Sequence, residues 1–119
     1  MRVLTVDDSR TMRDLLRNAL VRAGFDVVAA VDGEHGLEML AESGADVIVT
    51  DINMPKLDGF GFIERVRENQ AHRGTPILVL TTESDPDKKD RARRAGATGW
   101  IVKPFNPDKL VEAIRRVAA

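Results

Sequence analysis

Short runs of Val, Ile and Leu punctuate the chain at Val3–Val6, Val27–Ala30, Val47–Thr50, Ile77–Leu80 and Trp100–Val102. Within each run the apolar residues follow one another instead of alternating. That predicts strands covered on both faces, as in a parallel sheet. Between the runs the period changes to that of a helix. Met12, Leu15, Leu16, Ala19, Leu20 and Ala23 fall on one helical face, with Ser9 placed to cap the start and Gly24 to end it. A second helix runs through Gly36–Leu40 toward Gly44, and Phe62, Ile63 and Val66 form the apolar face of a third. Leu110, Ala113, Ile114 and Val117 form that of the last, capped by Asn106 with Pro107 in its first turn. Strand and helix alternate throughout, and the linkers are short. The pattern predicts an α/β domain of (βα)5 type over residues 1–119.

One helix breaks the pattern. Residues Pro86 to Ala95 include no apolar side chain larger than alanine apart from the proline itself. At about 25 cal/mol per Å² of buried apolar area, two alanines anchor a helix far less than the Leu/Ile sets elsewhere. This helix is expected to be the least firmly docked and the easiest to move.

Right-handed crossovers put every strand-to-helix turn at one edge of such a sheet, and open α/β sheets bind ligands at that edge. The residues leaving the runs therefore matter most. They are Asp7-Asp8, Asp51, Thr81-Thr82 and Lys103-Pro104. Any one acid alone reads equally well as a helix cap or a solvated loop residue. Three carboxylates converging from separate segments would raise one another's pKa unless a cation lay among them. An all-oxygen donor set without His or Cys selects Mg²⁺. Asp51 is then available as a nucleophile toward phosphorus, giving an acyl phosphate, with Lys103 neutralising phosphoryl oxygens and Thr81 donating a hydrogen bond.

Composition narrows the field further. The chain has 119 residues and no cysteine, which excludes disulfides, thiolate metal sites and a Cys nucleophile and suits a reducing compartment. Its only histidines, His35 and His72, are expected at the surface with no catalytic part. A formal net charge of −1 argues against nucleic-acid binding. No apolar run is long enough to span a membrane, and the first residues do not form a signal peptide, so a cytoplasmic location is expected. The near-neutral total conceals an asymmetry. Residues 84–119 hold nine Lys/Arg against five Asp/Glu, a balance of +4, so residues 1–83 hold nine against fourteen, a balance of −5.

Taken together, Asp7-Asp8-Ser9, Asp51-Ile52-Asn53-Met54-Pro55, Asp58-Gly59, Thr81 and Lys103-Pro104-Phe105 resemble the receiver domain of bacterial two-component response regulators. The likeness extends from Val3 to Val117 and is strongest to the stand-alone chemotaxis regulators of that family. It implies a doubly wound, flavodoxin-like five-stranded parallel sheet in the order 2-1-3-4-5. It also implies that Asp51 is the phosphoacceptor, loaded from a phosphohistidine on a chemotaxis-type histidine kinase. Asp8 and Asp51 would bind Mg²⁺ through carboxylates, Asn53 through its backbone carbonyl, and Asp7 through water. Thr81 and Lys103 match the switch threonine and the phosphate-binding lysine, and the Lys103–Pro104 bond is cis in the family. Asn53 and Glu83 flank the site and are placed to orient water for self-catalysed dephosphorylation, or are simply polar loop residues.

No output domain is apparent after the last helix, so output is expected through binding by a monomeric chain. The basic segment, with Lys88, Lys89, Arg91 and Trp100, is the expected partner face, and a flagellar motor switch protein is the expected target. A phosphate sink and a relay intermediate are the alternatives. Two positions depart from the family pattern. Trp100 stands where a Tyr or Phe is usual, and reads either as a half-buried strand-end aromatic or as a side chain that turns inward when Thr81 moves. Thr82 replaces a smaller residue, usually Ala, and bears on access to the phosphoryl group. Two rival readings fail on single residues. An Asp-nucleophile phosphatase needs a second acid where Asn53 stands, and a dinucleotide-binding turn needs glycines where Asp7-Asp8-Ser9 stands.

Overall fold

In the computed structural model, which describes Met1–Ala119, each predicted run is a strand of one sheet. The strands are β1 (Arg2–Val6), β2 (Asp26–Ala30), β3 (Val47–Thr50), β4 (Ile77–Thr81) and β5 (Gly99–Val102). All pairs are parallel, in the order β2-β1-β3-β4-β5, with Val3 opposite both Val27 and Val47, Thr50 opposite Val79 and Thr81 opposite Val102. The helices are α1 (Arg10–Arg22), α2 (Gly33–Ser43), α3 (Gly59–Glu68), α4 (Pro86–Ala95) and α5 (Pro107–Ala118). The Ser9 and Asn106 side chains accept from Met12 N and Lys109 N, as the cap positions require, and Gly24 ends α1 at φ 94°.

The pleat divides the core in two. Leu4, Val6, Ile48, Ile77 and Val79 face α2, α3 and α4, where Leu40, Phe62, Ile63, Val66 and Ala92 cover them. Val3, Val27, Val47, Val49, Leu78 and Leu80 face α1 and α5, where Leu16, Leu20, Leu110 and Ile114 cover them. Burial on both faces is complete for β3 and β4 and nearly so for β1. It fails at the edges. No residue of β5 is fully buried, and β2 is only partly covered, because an edge strand has a neighbour on one side only.

Four further features depart from the expectations above. Leu15 is 51% exposed instead of lying in the apolar face of α1, which is centred on the fully buried Leu16 and Leu20 with Met12 and Ala23 packed beside them. The second helix starts earlier than its apolar residues suggest, since Asp32 caps it by accepting from His35 N. Both histidines are half-buried and bonded: His35 Nδ1 accepts from Val31 N at 3.0 Å, and His72 Nδ1 pairs with Thr75 Oγ1 at 3.1 Å. His72 also closes a short 3-10 turn, Gln70–His72, that no periodicity announces.

The fourth helix is lightly anchored, as expected, with Ala92 its one fully buried residue. It gains a contact that its sequence does not reveal. The Arg91 guanidinium lies over the Phe60 ring of α3, 4.1 Å from its centroid.

Candidate functional site

The parallel ladder itself places the first two acids. Asp7 N donates to Ala30 O at 3.1 Å and Asp51 N donates to Val6 O at 2.9 Å, so each sits one step beyond the last residue of its strand. Their side chains emerge at the carboxyl edge of the sheet. Asp7 is then held from two sides: Ser9 N donates to its Oδ1 and the Arg13 guanidinium donates to its carbonyl, both at 2.9 Å. Arg13 went unnoticed in the sequence because nothing local marks an arginine that turns back on the preceding loop.

Lys103 closes the site from the far side of the sheet. Its backbone N donates to Thr81 O at 2.8 Å, and the Lys103–Pro104 peptide is cis. The Lys103 ammonium donates to Asp7 Oδ2 and to Asp51 Oδ2, each at 2.9 Å. The other Asp51 oxygen accepts from Ile52 N at 2.6 Å. All three side chains are largely removed from solvent. Burial, the largest influence on Asp7, pushes its carboxyl above the ordinary range; the Ser9 amide and Lys103 only partly offset this, and the Asp51 charge adds to it. Burial disfavours the Lys103 ammonium too, but two carboxylates outweigh it and raise its pKa. The asymmetry is physical. Lys103 has two anionic partners, whereas Asp7 has one cation and a second acid beside it.

Asp8 is exposed at the rim and completes an acidic triplet. Carboxylate oxygens of Asp7, Asp8 and Asp51 lie within 4.8 Å of one another. A three-carboxylate, all-oxygen set with one partly compensating ammonium fits a hard divalent cation of the Mg²⁺ class. Asn53, two residues beyond Asp51, is exposed on the loop that follows β3.

That loop is shaped by Asp58-Gly59. Asp58 Oδ1 accepts from Gly61 N and starts α3, while Gly59 N donates to Ile52 O at 2.8 Å. The close return requires glycine, since a β-carbon on residue 59 would overlap the Asp51 carbonyl oxygen. Lys56 adopts φ 67°, with Leu57 N donating to Pro55 O, so the same loop carries a strained γ-turn.

The remaining candidates connect this edge to α4. Thr81 is fully buried, and its hydroxyl accepts from Glu83 N at 3.3 Å without bonding to Asp51 or Lys103. Glu83 is paired with Lys88 of α4 at 3.0 Å. Lys89 is exposed and carries no ion pair, and Arg91 is committed to Phe60. Trp100 is half-buried against the α2–α4 side of the core, and it borders a pocket of about 110 Å³ with Lys89, Ala92, Arg93, Ala97 and Gly99.

Arg67 is a structural residue that sequence reasoning missed. Its guanidinium donates five hydrogen bonds to the carbonyls of His72, Arg73, Thr75 and Gly96, tying α3 to the C-terminal end of α4. Burial lowers its pKa. No carboxylate partner hints at this role in the sequence.

Comparison with known proteins gives one consistent result. The family model described as response regulator receiver domain matches residues 3–115. A probable chemotaxis protein CheY of Rhizobium etli is 38% identical over 118 residues, covering 98% of this chain and 92% of that protein. Chemotaxis protein CheY1 of Helicobacter pylori is 37% identical, with 98% and 96% covered. The crystal structure of chemotaxis protein CheY4 of Vibrio cholerae superposes with a TM-score of 0.93 at 45% identity, covering 98% of this chain and 97% of that one.

Proposed function

Because the chain belongs to the response regulator receiver domain family, we propose that it accepts a phosphoryl group on Asp51 from a histidine kinase and signals through phosphorylation-dependent binding. The observation that carries this reading is the Lys103 ammonium bridging Asp7 and Asp51 at 2.9 Å, beside the acidic triplet at the sheet edge. A buried ammonium on a carboxylate nucleophile is suited to oxygen charge that develops during phosphoryl transfer.

In the proposed step an Asp51 carboxylate oxygen attacks the phosphorus of the donor phosphohistidine. The new O–P bond forms as the P–N bond breaks. The electron pair returns to the imidazole nitrogen, which takes up a proton, and Asp51 becomes an acyl phosphate. Asp7, Asp8 and Asp51, with the Asn53 backbone carbonyl, would hold Mg²⁺, whose contribution when bound is to neutralise phosphoryl oxygens. Lys103 then turns from its carboxylate partners toward the phosphoryl group, and the Thr81 hydroxyl leaves the Glu83 amide to donate to it. Because Glu83 is also paired with Lys88, this movement reaches the N-terminal half of α4. Asn53 and Glu83 orient water for hydrolysis of the acyl phosphate. The chain acts only on its own phosphorylation state and not on a further substrate.

The named relatives are chemotaxis proteins, and the proposed target is accordingly a flagellar motor switch protein, bound through the α4–β5 region with Lys88, Lys89, Arg91 and Trp100. A cytoplasmic location goes with this role; no helix is long and apolar enough to cross a membrane. The test has two arms. A small phosphodonor with Mg²⁺ is expected to add one phosphoryl group to the wild type and none to Asp51→Asn; labelling that survives the substitution overturns the site. Phosphorylated protein is then expected to retain a flagellar switch component in a pull-down, whereas a sink or relay intermediate retains none.

A further inference from the structure

The exposed Leu15 lies on the wall of a groove of about 960 Å³ between α1 and α5, with Ala19 and Val111 along its middle. The two helices pack on the same face of the sheet and run in the same direction, and Arg115 ties their C-terminal ends by donating to Ala23 O at 3.1 Å. Charge is distributed unevenly along the groove. Asp108 and Glu112 line the half nearer the start of α5, and Arg22 and Arg115 line the half nearer its end. None of these four takes part in an ion pair within the chain. The result is an apolar centre flanked by an unpaired acidic end and an unpaired basic end.

Such a strip is complementary to itself. A second copy related by a two-fold axis through the middle of the groove lies antiparallel on the first. Its basic end then covers the acidic end, and the contact is made twice, as isologous interfaces require. Ala19 and Val111 of each copy meet at the centre, with the exposed Leu15 one turn to the side of it. We propose that the chain forms a weak homodimer through α1 and α5, in place of the monomer expected from sequence. Two helices per copy make a small interface, so association is expected only at high concentration. The dimer leaves Asp7, Asp8, Asp51, Lys103 and the whole of α4 uncovered.

The test is sedimentation equilibrium on the full chain from about 10 µM to about 1 mM. The wild-type mass is expected to rise from 13.1 kDa toward twice that value. Glu112→Lys and Arg22→Glu, both at exposed positions, are each expected to lose this rise while keeping the wild-type circular dichroism spectrum. An equimolar mixture of the two is expected to regain it, because a basic strip then meets an acidic one. Should Glu112→Lys misfold, Asp108→Lys takes its place, and should Arg22→Glu misfold, Arg115→Glu does, so that the mixture still pairs a basic strip with an acidic one. A wild type that stays monomeric throughout overturns the proposal. So does dimerisation that both variants retain, or a mixture that fails to recover.

Discussion

Gly59 lies against the main chain of Asp51 so closely that a β-carbon on it would overlap the Asp51 carbonyl oxygen and come within 2.7 Å of the Ile52 Cα. The start of α3 is thereby pressed onto the residue that carries the proposed chemistry. Gly59→Ala must move either backbone, and overpacking of this kind costs about 1–3 kcal/mol. The variant is expected to melt at a lower temperature and to label more slowly with a small phosphodonor. A melting curve superimposable on the wild type would falsify the close-packing account.

A second expectation concerns charge at the sheet edge. The folded state raises the pKa of Asp7, mainly through burial. A raised acid contributes stability that is present at low pH and lost as pH rises through its folded-state pKa, above the usual 3.8. Asp7→Asn is therefore expected to stabilise the metal-free protein at neutral pH, with an advantage that shrinks as the solution is acidified toward about pH 4. Added Mg²⁺ is expected to narrow the gap at neutral pH by stabilising only the wild type. Thermal melts across pH, with and without Mg²⁺, measure both effects. The Lys103 contribution has the same sign in a higher range: fully present below its usual 10.5, it is lost as pH rises through the raised folded-state value and the ammonium deprotonates.

Arg67 spans four carbonyls with five hydrogen bonds, and an ammonium on a flexible stem does not reproduce that planar fork. Arg67→Lys is expected to cost about 2–4 kcal/mol, since carbonyls in a half-buried site lose their donors. Hydrogen exchange should locate the damage at residues 72–75 and at Gly96. Uniform loss of protection across the sheet instead would contradict the local assignment.

The Thr5 hydroxyl is buried in β1 without a hydrogen-bond partner. Valine has nearly the same shape and no polar atom to desolvate. Thr5→Val is expected to raise stability by about 1 kcal/mol in denaturant titration, with phosphodonor labelling unchanged.

Trp100 is the only tryptophan and borders the small pocket beneath α4. If the coupling from Thr81 through Glu83 and Lys88 operates, its fluorescence changes when Mg²⁺ and a phosphoryl mimic are added together, and Thr81→Ala weakens the change. An unaltered wild-type spectrum counts against Trp100 as the switch residue.

What the amino-acid sequence determined by itself is whatever rests on local periodicity and on chain direction. Continuous apolar runs such as Val47–Thr50 specified buried parallel strands, and Ser9 and Asn106 specified helix starts within a few residues of themselves. Because parallel strands joined by right-handed crossovers all point one way, the residues after those runs had to share an edge. That is why Asp7, Asp8, Asp51, Thr81 and Lys103 were legible as one site. The tertiary structure alone decided relationships that depend on which faces meet. Leu15 belongs to the apolar period of α1 yet remains exposed, because α5 leaves a groove beside it. Arg91 reads as part of a partner face and Arg67 carries no signal of its own, but the Phe60 ring engages the one and four carbonyls, from His72 to Gly96, engage the other. His35 and His72 are drawn inward by backbone and hydroxyl partners that their spacing does not advertise. A polar side chain seeks any partner of the right geometry, and only the packed fold fixes which groups, near or far along the chain, come within that reach.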